Sequence, residues 1–130
     1  MKTAIPPTAA LVTYNSNRSF EATLQMLRRS LNVHGLRVSH EIDVARRLRS
    51  DLGVGLYPCH TLMVDDPALL LEAIVFHRGA AEFFPQPITV AASDGGTQIY
   101  LRGAEPSPSL GLPASIRGPL QQLHKRLLLV

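Results

Sequence analysis

Residue patterns of period two and of period 3.6 take turns along this chain, and capping or turn residues mark almost every change-over. That succession limits the fold more than any single motif does. A segment with apolar residues at alternate positions buries one face as a strand, and a segment with apolar residues every three to four positions buries one face as a helix. The first block, Ala9 to Tyr14 (AALVTY), is rich in β-formers and reads as a short strand. In NSNRSFEATLQMLRRSLNVHG, Phe20, Leu24, Leu27 and Leu31 follow the i, i+4, i+7, i+11 spacing of one helical stripe. Ser19 is placed to cap that helix, Glu21 suits the positive end of its dipole, and Gly35 ends it.

Leu36 to Ile42 (LRVSHEI) alternates, which predicts Leu36, Val38, His40 and Ile42 on one face of a strand and Arg37, Ser39 and Glu41 on the other. Asp43 then caps a short helix, VARRLRSDL, with Val44, Leu48 and Leu52 expected inward and Gly53 and Gly55 ending it. Tyr57 to Val64 is the next strand. Asp66-Pro67 starts a third helix, with the acid as cap and proline at the first helical position, followed by Leu69, Leu70, Ala73 and Ile74. Ile88 to Ala92 and Thr97 to Leu101 form a hairpin about the turn Asp94-Gly95-Gly96. A Pro-rich linker over 103–113, with Pro106, Pro108 and Pro113, leads to a C-terminal helix over 116–129 whose stripe is Ile116, Leu120, Leu123 and Leu127. The order β-α-β-α-β-α-β-β-α predicts an α+β protein, a single mixed β-sheet covered by helices on at least one face. One domain over residues 1–130, with a core over 10–106, accounts for the whole chain.

Composition narrows the function classes. Of the 130 residues, 45% are hydrophobic and 18% charged, a globular balance, and with no tryptophan the core must be largely aliphatic. The first eleven residues hold Pro6 and Pro7 and no continuous apolar run, and no stretch approaches the roughly 18 apolar residues that span a bilayer, so neither a signal peptide nor a membrane segment is expected. Cys59 is the single cysteine, which excludes an intrachain disulfide and suggests a reducing, cytoplasmic setting. The net charge of +3 is carried by scattered arginines, densest at Arg46, Arg47 and Arg49. Without interleaved aromatics that cluster reads as a solvated helix face, and a nucleic-acid partner is not expected.

The stretch YPCHTLMVDDP, Tyr57 to Pro67, gathers Cys59, His60, Asp65 and Asp66. On a strand, Cys59, Thr61, Met63 and Asp65 share one face while His60, Leu62, Val64 and Asp66 share the other. Cys59 and Asp65 then lie about 20 Å apart at roughly 3.3 Å per residue, too far for ligands that each sit about 2.0–2.3 Å from one zinc ion. The combination that survives pairs His40 with His60. If their strands are neighbours, both imidazoles can project into a cleft beneath the helices and hold a metal or haem, with Tyr57 and Cys59 beside them. The competing reading makes each a core or rim histidine bonded to the backbone. Cys59 is open to two readings as well, a small buried hydrophobe or the thiol of a redox enzyme. Ser16, Arg18 and Ser19 surround a helix start that can receive an anion, though simple capping is the favoured explanation. His34, His77 and His124 read as helix-end or surface residues. No phosphate-binding glycine loop, HExxH or GxSxG occurs.

Taken in order, Y-x-S-x-x-S-F-E-x-T from Tyr14 to Thr23, L-x-x-x-G-L-x-V to Val38, Ile42-Asp43-Val44, the Pro67 helix start, Phe84-Pro85 and the Asp94-Gly95-Gly96 hairpin resemble the DUF302 family, small bacterial and archaeal domains of unknown function. The likeness covers roughly Ala10 to Pro106. It implies a compact α+β domain related to the TATA-binding-protein-like folds, and a homodimer, with no established activity. Where the family often has asparagine after a small residue ahead of the helix-starting proline, this chain has Asp65-Asp66, so the charge of that corner differs. The reading that results is a non-catalytic, homodimeric small-ligand or metal/haem-binding module using His40, His60, Tyr57 and Cys59. The alternatives are a small thiol or redox enzyme using Cys59, and a structural or regulatory interaction module with an exposed apolar patch.

Overall fold

The elements follow one another as β1 (Leu11–Ser16), α1 (Phe20–Val33), β2 (Arg37–Asp43), α2 (Val44–Leu52), β3 (Cys59–Asp65), α3 (Pro67–Phe76), a 3-10 turn (Arg78–Phe83), β4 (Gln86–Ser93) and β5 (Gly96–Arg102). The computed structural model describes residues 11–102. Ala9 and Ala10 of the expected first strand, the linker at 103–113 and the helix at 116–129 lie outside the described residues.

The local signals act as anticipated. The Ser19 hydroxyl accepts the Ala22 N–H at 3.1 Å, the Asp43 carboxylate accepts the Arg46 N–H at 2.9 Å, and the Asp66 carboxylate accepts the Ala68 N–H at 2.8 Å. Each such cap is worth about 1 kcal/mol. Gly35 (φ 73°) and Gly53 (φ 69°) take the left-handed conformation that ends α1 and α2, a conformation costly for any residue with a Cβ.

The five strands form one sheet in the order β1-β5-β4-β3-β2. The sheet expected to be mixed is antiparallel in all four ladders, and the α+β class holds. Register fixes the faces. Leu62 lies opposite Ile88, Ile88 opposite Leu101, and Val64 and Val90 continue the same face. Leu24, Leu27 and Leu31 of α1 pack on it, joined by Leu36, by Leu69 and Ala73 of α3, and by Phe84. The other face carries Thr61, Thr89 and Tyr100, opposite one another in turn, with the Thr61 and Thr89 hydroxyls 2.8 Å apart.

Two expectations fail, for identifiable reasons. β2 does not alternate throughout. Val38 pairs with Val64 but His40 pairs with Met63, so Ser39 is an unpaired bulge residue. A one-residue slip exchanges the faces of everything beyond it. Leu36 and Val38 face the helices as expected, but Glu41 and Asp43 then replace His40 and Ile42 on that side. In α2 the buried residue is Ala45, while Leu52 is 70% exposed. The stripe of Val44, Leu48 and Leu52 joins Ile42 along an open groove at the β2 edge rather than entering the core.

This division predicts a contrast. Leu62→Ala, at a fully buried position, should lower the free energy of unfolding by about 2–5 kcal/mol, whereas Leu52→Ala should change it by no more than about 0.5 kcal/mol. Urea denaturation of the two variants measures both.

Candidate functional site

His60, the second residue of β3, lies opposite Asp43 on one side and Val90 on the other, on the helix-covered face. Its side chain is only 16% exposed, and its Nε2 is 2.7 Å from Oε1 of Glu41. The bulge has turned Glu41 toward α1, and there Arg28 grips it in a fork, Nε to Oε2 at 3.0 Å and Nη2 to Oε1 at 2.5 Å. The three side chains thus join α1, β2 and β3 through one carboxylate. The Arg28 bonds, and secondarily the His60 bond, hold the Glu41 carboxyl below its ordinary range against the opposing effect of burial. The same bonds to Glu41 push Arg28 further up.

His40 is elsewhere. Opposite Met63, three residues from His60, it points to the other face of the sheet, where it is exposed and its Nδ1 lies 3.4 Å from the Ser39 hydroxyl. The two histidines expected to share a metal or haem are separated by the sheet itself. Among the described residues, no group of three or more His, Cys, Asp and Glu side chains is placed to hold a metal ion.

Tyr57 stands on the loop before β3, exposed, and its hydroxyl donates to the Asp94 carboxylate in the β4–β5 turn. Donating to an anion pushes the phenol up. Cys59 is half-buried at the first position of β3. Burial raises its thiol pKa, and the negative charge of Asp43 raises it further. These are the reverse of the conditions that generate a reactive thiolate. Asp65 is likewise pushed up, first by burial and then by Asp66, with Arg37 opposite it pulling the other way.

Where α1 begins, α2 begins and β3 begins, the three meet around a cleft of about 430 Å³. Phe20, Leu56 and Pro58 supply apolar wall, Arg46 and Arg49 supply positive charge, and Glu21, Asp43 and Cys59 complete the rim. The Asp43 carboxylate is already engaged as the α2 cap. The sequence reading missed Arg28 and Glu41 and assigned Arg46 and Arg49 to a plain solvated face. Arg28 was findable, since it follows Leu24 by one helical turn on the edge of the core stripe. Glu41 was not, because only the bulge brings it inward.

Residues 12–126 match the family model described as "Domain of unknown function DUF302". The chain belongs to the DUF302 family. A crystal structure of an uncharacterized conserved DUF302 protein from Bacillus stearothermophilus superposes with a TM-score of 0.79 at 20% identity, over 92% of this chain and 93% of that one. At that identity the likeness speaks for the shared fold. No curated protein matches the chain. Among the described residues no helix is long and apolar enough to cross a membrane. The DUF302 motif residues near the N-terminus have structural duties here. The Ser16 hydroxyl accepts the Arg18 N–H at 3.1 Å and lies 2.8 Å from the Thr23 hydroxyl, and Ser19 caps α1. Those hydroxyls are engaged within the chain, which favours capping over an anion cradle.

Two outcomes follow. The Glu41 carboxyl is lowered from an ordinary 4.5, so between that value and its folded value the unfolded chain binds more protons. Its contribution to stability is therefore complete above about pH 4.5 and is lost as pH falls through the folded value. Urea midpoints measured from pH 3 to pH 7 should fall on the acid side, and Glu41→Gln should flatten that limb. At pH 7 the Cys59 thiol should react with iodoacetamide more slowly than free cysteine does; rapid stoichiometric alkylation would contradict its raised pKa.

Proposed function

We propose that this DUF302 protein is a non-catalytic, homodimeric binding module that takes a small anionic ligand with an apolar body into the cleft between α1, α2 and the start of β3. One observation carries the reading. Arg46 and Arg49 line that cleft beside Phe20 and Leu56, and neither makes an ion pair among the described residues, whereas Arg28 and Arg47 are paired with Glu41 and Asp51. Two guanidinium groups over an apolar wall suit a carboxylate or phosphate attached to a hydrocarbon or ring. The neighbouring Arg28–Glu41–His60 network holds α1 against β2 and β3 and so keeps that wall in place.

A metal or haem bridging His40 and His60 loses its support from the register, and a thiol enzyme at Cys59 loses its support from the raised thiol pKa. An interaction role keeps one observation in its favour, the apolar groove of Ile42, Val44, Leu48 and Leu52 beside the edge strand β2, which suits the contact between two copies of the chain.

Native mass spectrometry of the freshly purified chain tests both parts, read together with thermal shifts against a panel of carboxylates and phosphate esters. The expected result is a dimer that retains or is stabilised by an anionic compound, with the effect abolished in the Arg46→Ala/Arg49→Ala double variant at unchanged unliganded Tm. A chain that carries nothing and is stabilised by no member of the panel removes the ligand reading, and a monomer mass at micromolar concentration removes the dimer.

A further inference from the structure

The cleft between α1, α2 and the start of β3 is lined by charges of both signs. Arg46 and Arg49 come from α2, Asp43 caps the same helix, and Glu21 stands in the first turn of α1. Asp43, Arg46 and Arg49 follow at three-residue steps, so each neighbours the next on the helix surface. Asp43 and Arg49 lie about 9 Å apart along the axis at roughly 1.5 Å per residue. The cleft is therefore acidic where the two helices begin and basic further along α2.

These charges do not satisfy one another. The ion pairs among the described residues join Arg28 and His60 to Glu41, and Arg47 to Asp51. The side chains of Glu21, Arg46 and Arg49 make neither a hydrogen bond nor an ion pair there. Arg28, two turns along α1, lies within the field of Glu21 but is bonded to Glu41. Asp43 accepts the Arg46 N–H through Oδ1, and its Oδ2 accepts no hydrogen bond among the described residues.

A ligand with an acid group alone would be attracted by the two guanidinium groups and repelled by the two carboxylates, the arrangement by which a site rejects a wrong partner. An ammonium group on the same ligand turns that repulsion into a second attraction. Between the charged groups the wall is apolar, formed by Phe20, Leu56 and Pro58 with the buried Ala45. A cleft of about 430 Å³ is of a size for a small molecule.

We infer that the ligand of this cleft is a zwitterion with an apolar body, of the chemical class of the aliphatic and aromatic α-amino acids, with its carboxylate on Arg46 and Arg49 and its ammonium group on Glu21 and Asp43. The inference rests on the ligand reading proposed above and names the second charge that the ligand carries.

Isothermal titration calorimetry of the full chain at neutral pH tests it with three matched sets of compounds. Leucine and phenylalanine carry both charges, isocaproate and hydrocinnamate only the acid, and isoamylamine and phenethylamine only the amine. At least one of the two amino acids should bind about tenfold or more tighter than its acid-only and amine-only analogues. Glu21→Gln should bring that amino acid and its acid-only analogue to within about twofold of each other, with an unchanged circular dichroism spectrum showing that the fold is kept. If that variant does not fold, the wild-type series decides alone. An acid-only analogue that binds as tightly as the amino acid, and is lost in Arg46→Ala/Arg49→Ala, overturns the inference and leaves the ligand reading standing. A preference for the amino acid that survives Glu21→Gln overturns the assignment of the ammonium group. Flat titrations for all six compounds overturn the inference, and if the carboxylate and phosphate-ester panel is also without effect, the ligand reading falls with it.

Discussion

The bulge at Ser39 decides what this sheet presents to its helices. Up to Val38 the edge strand places apolar side chains inward, and beyond Ser39 it places Glu41 and Asp43 there instead. A carboxylate turned under a helix is costly unless it is paired and hydrogen-bonded. Arg28 supplies two hydrogen bonds from α1 and His60 a third contact from β3. The bulge and the triad therefore require each other. Without the bulge Glu41 would point away from Arg28, and without Arg28 and His60 the bulge would carry an unpaired anion toward the core. The partial exposure of Arg28 and Glu41, 40% and 32%, keeps the net stabilisation modest through solvent screening. The more important effect is geometric, since one carboxylate fixes the mutual position of α1, β2 and β3.

A second lock holds the other end of α1. The Ser16 and Thr23 hydroxyls bond across the turn from β1 into the helix, Ser19 caps it, and the buried Thr97 of β5 donates to the Arg18 carbonyl at 3.0 Å. No buried side-chain polar atom among the described residues is left without a partner. The start of α1 is thereby tied to β1 and β5 while its middle is tied to β2 and β3. Phe20, the first residue of α1, lines the cleft, so that part of its wall is set by these hydrogen bonds as well as by apolar packing.

Most of the architecture was legible in the residues because its determinants are local. The caps at Ser19, Asp43 and Asp66, the left-handed glycines at 35 and 53, and the Asp94-Gly95-Gly96 turn each specify their own boundary within a few residues. The family motifs were legible for the same reason. What escaped was non-local. LRVSHEI alternates without a break, and nothing in those seven residues reveals that the partner strand will take Ser39 out of register. The proposed His40–His60 site was the direct casualty, since the alternation that put His40 inward ends one residue before it. The α2 stripe failed differently. Its period correctly gave a helix with one apolar side, but period alone does not say which neighbour that side faces, and in α2 the small Ala45 takes the buried position.

The outward stripe on α2 and the outward face of α3 have a common origin. An antiparallel sheet of five short strands offers one face for helices, and α1 already crosses it with Leu24, Leu27 and Leu31 to meet β4, β5 and β2. The two shorter helices are left with contacts at the margins, α2 beside the edge strand and α3 at the sheet's end, and neither can bury its whole apolar circumference there. Among the described residues the sheet therefore leaves apolar helix surface uncovered, at Leu52 on α2 and at Leu71 and Val75 on α3. On α2 the exposed Leu52 and the half-buried Val44 and Leu48 line a groove beside the edge strand β2.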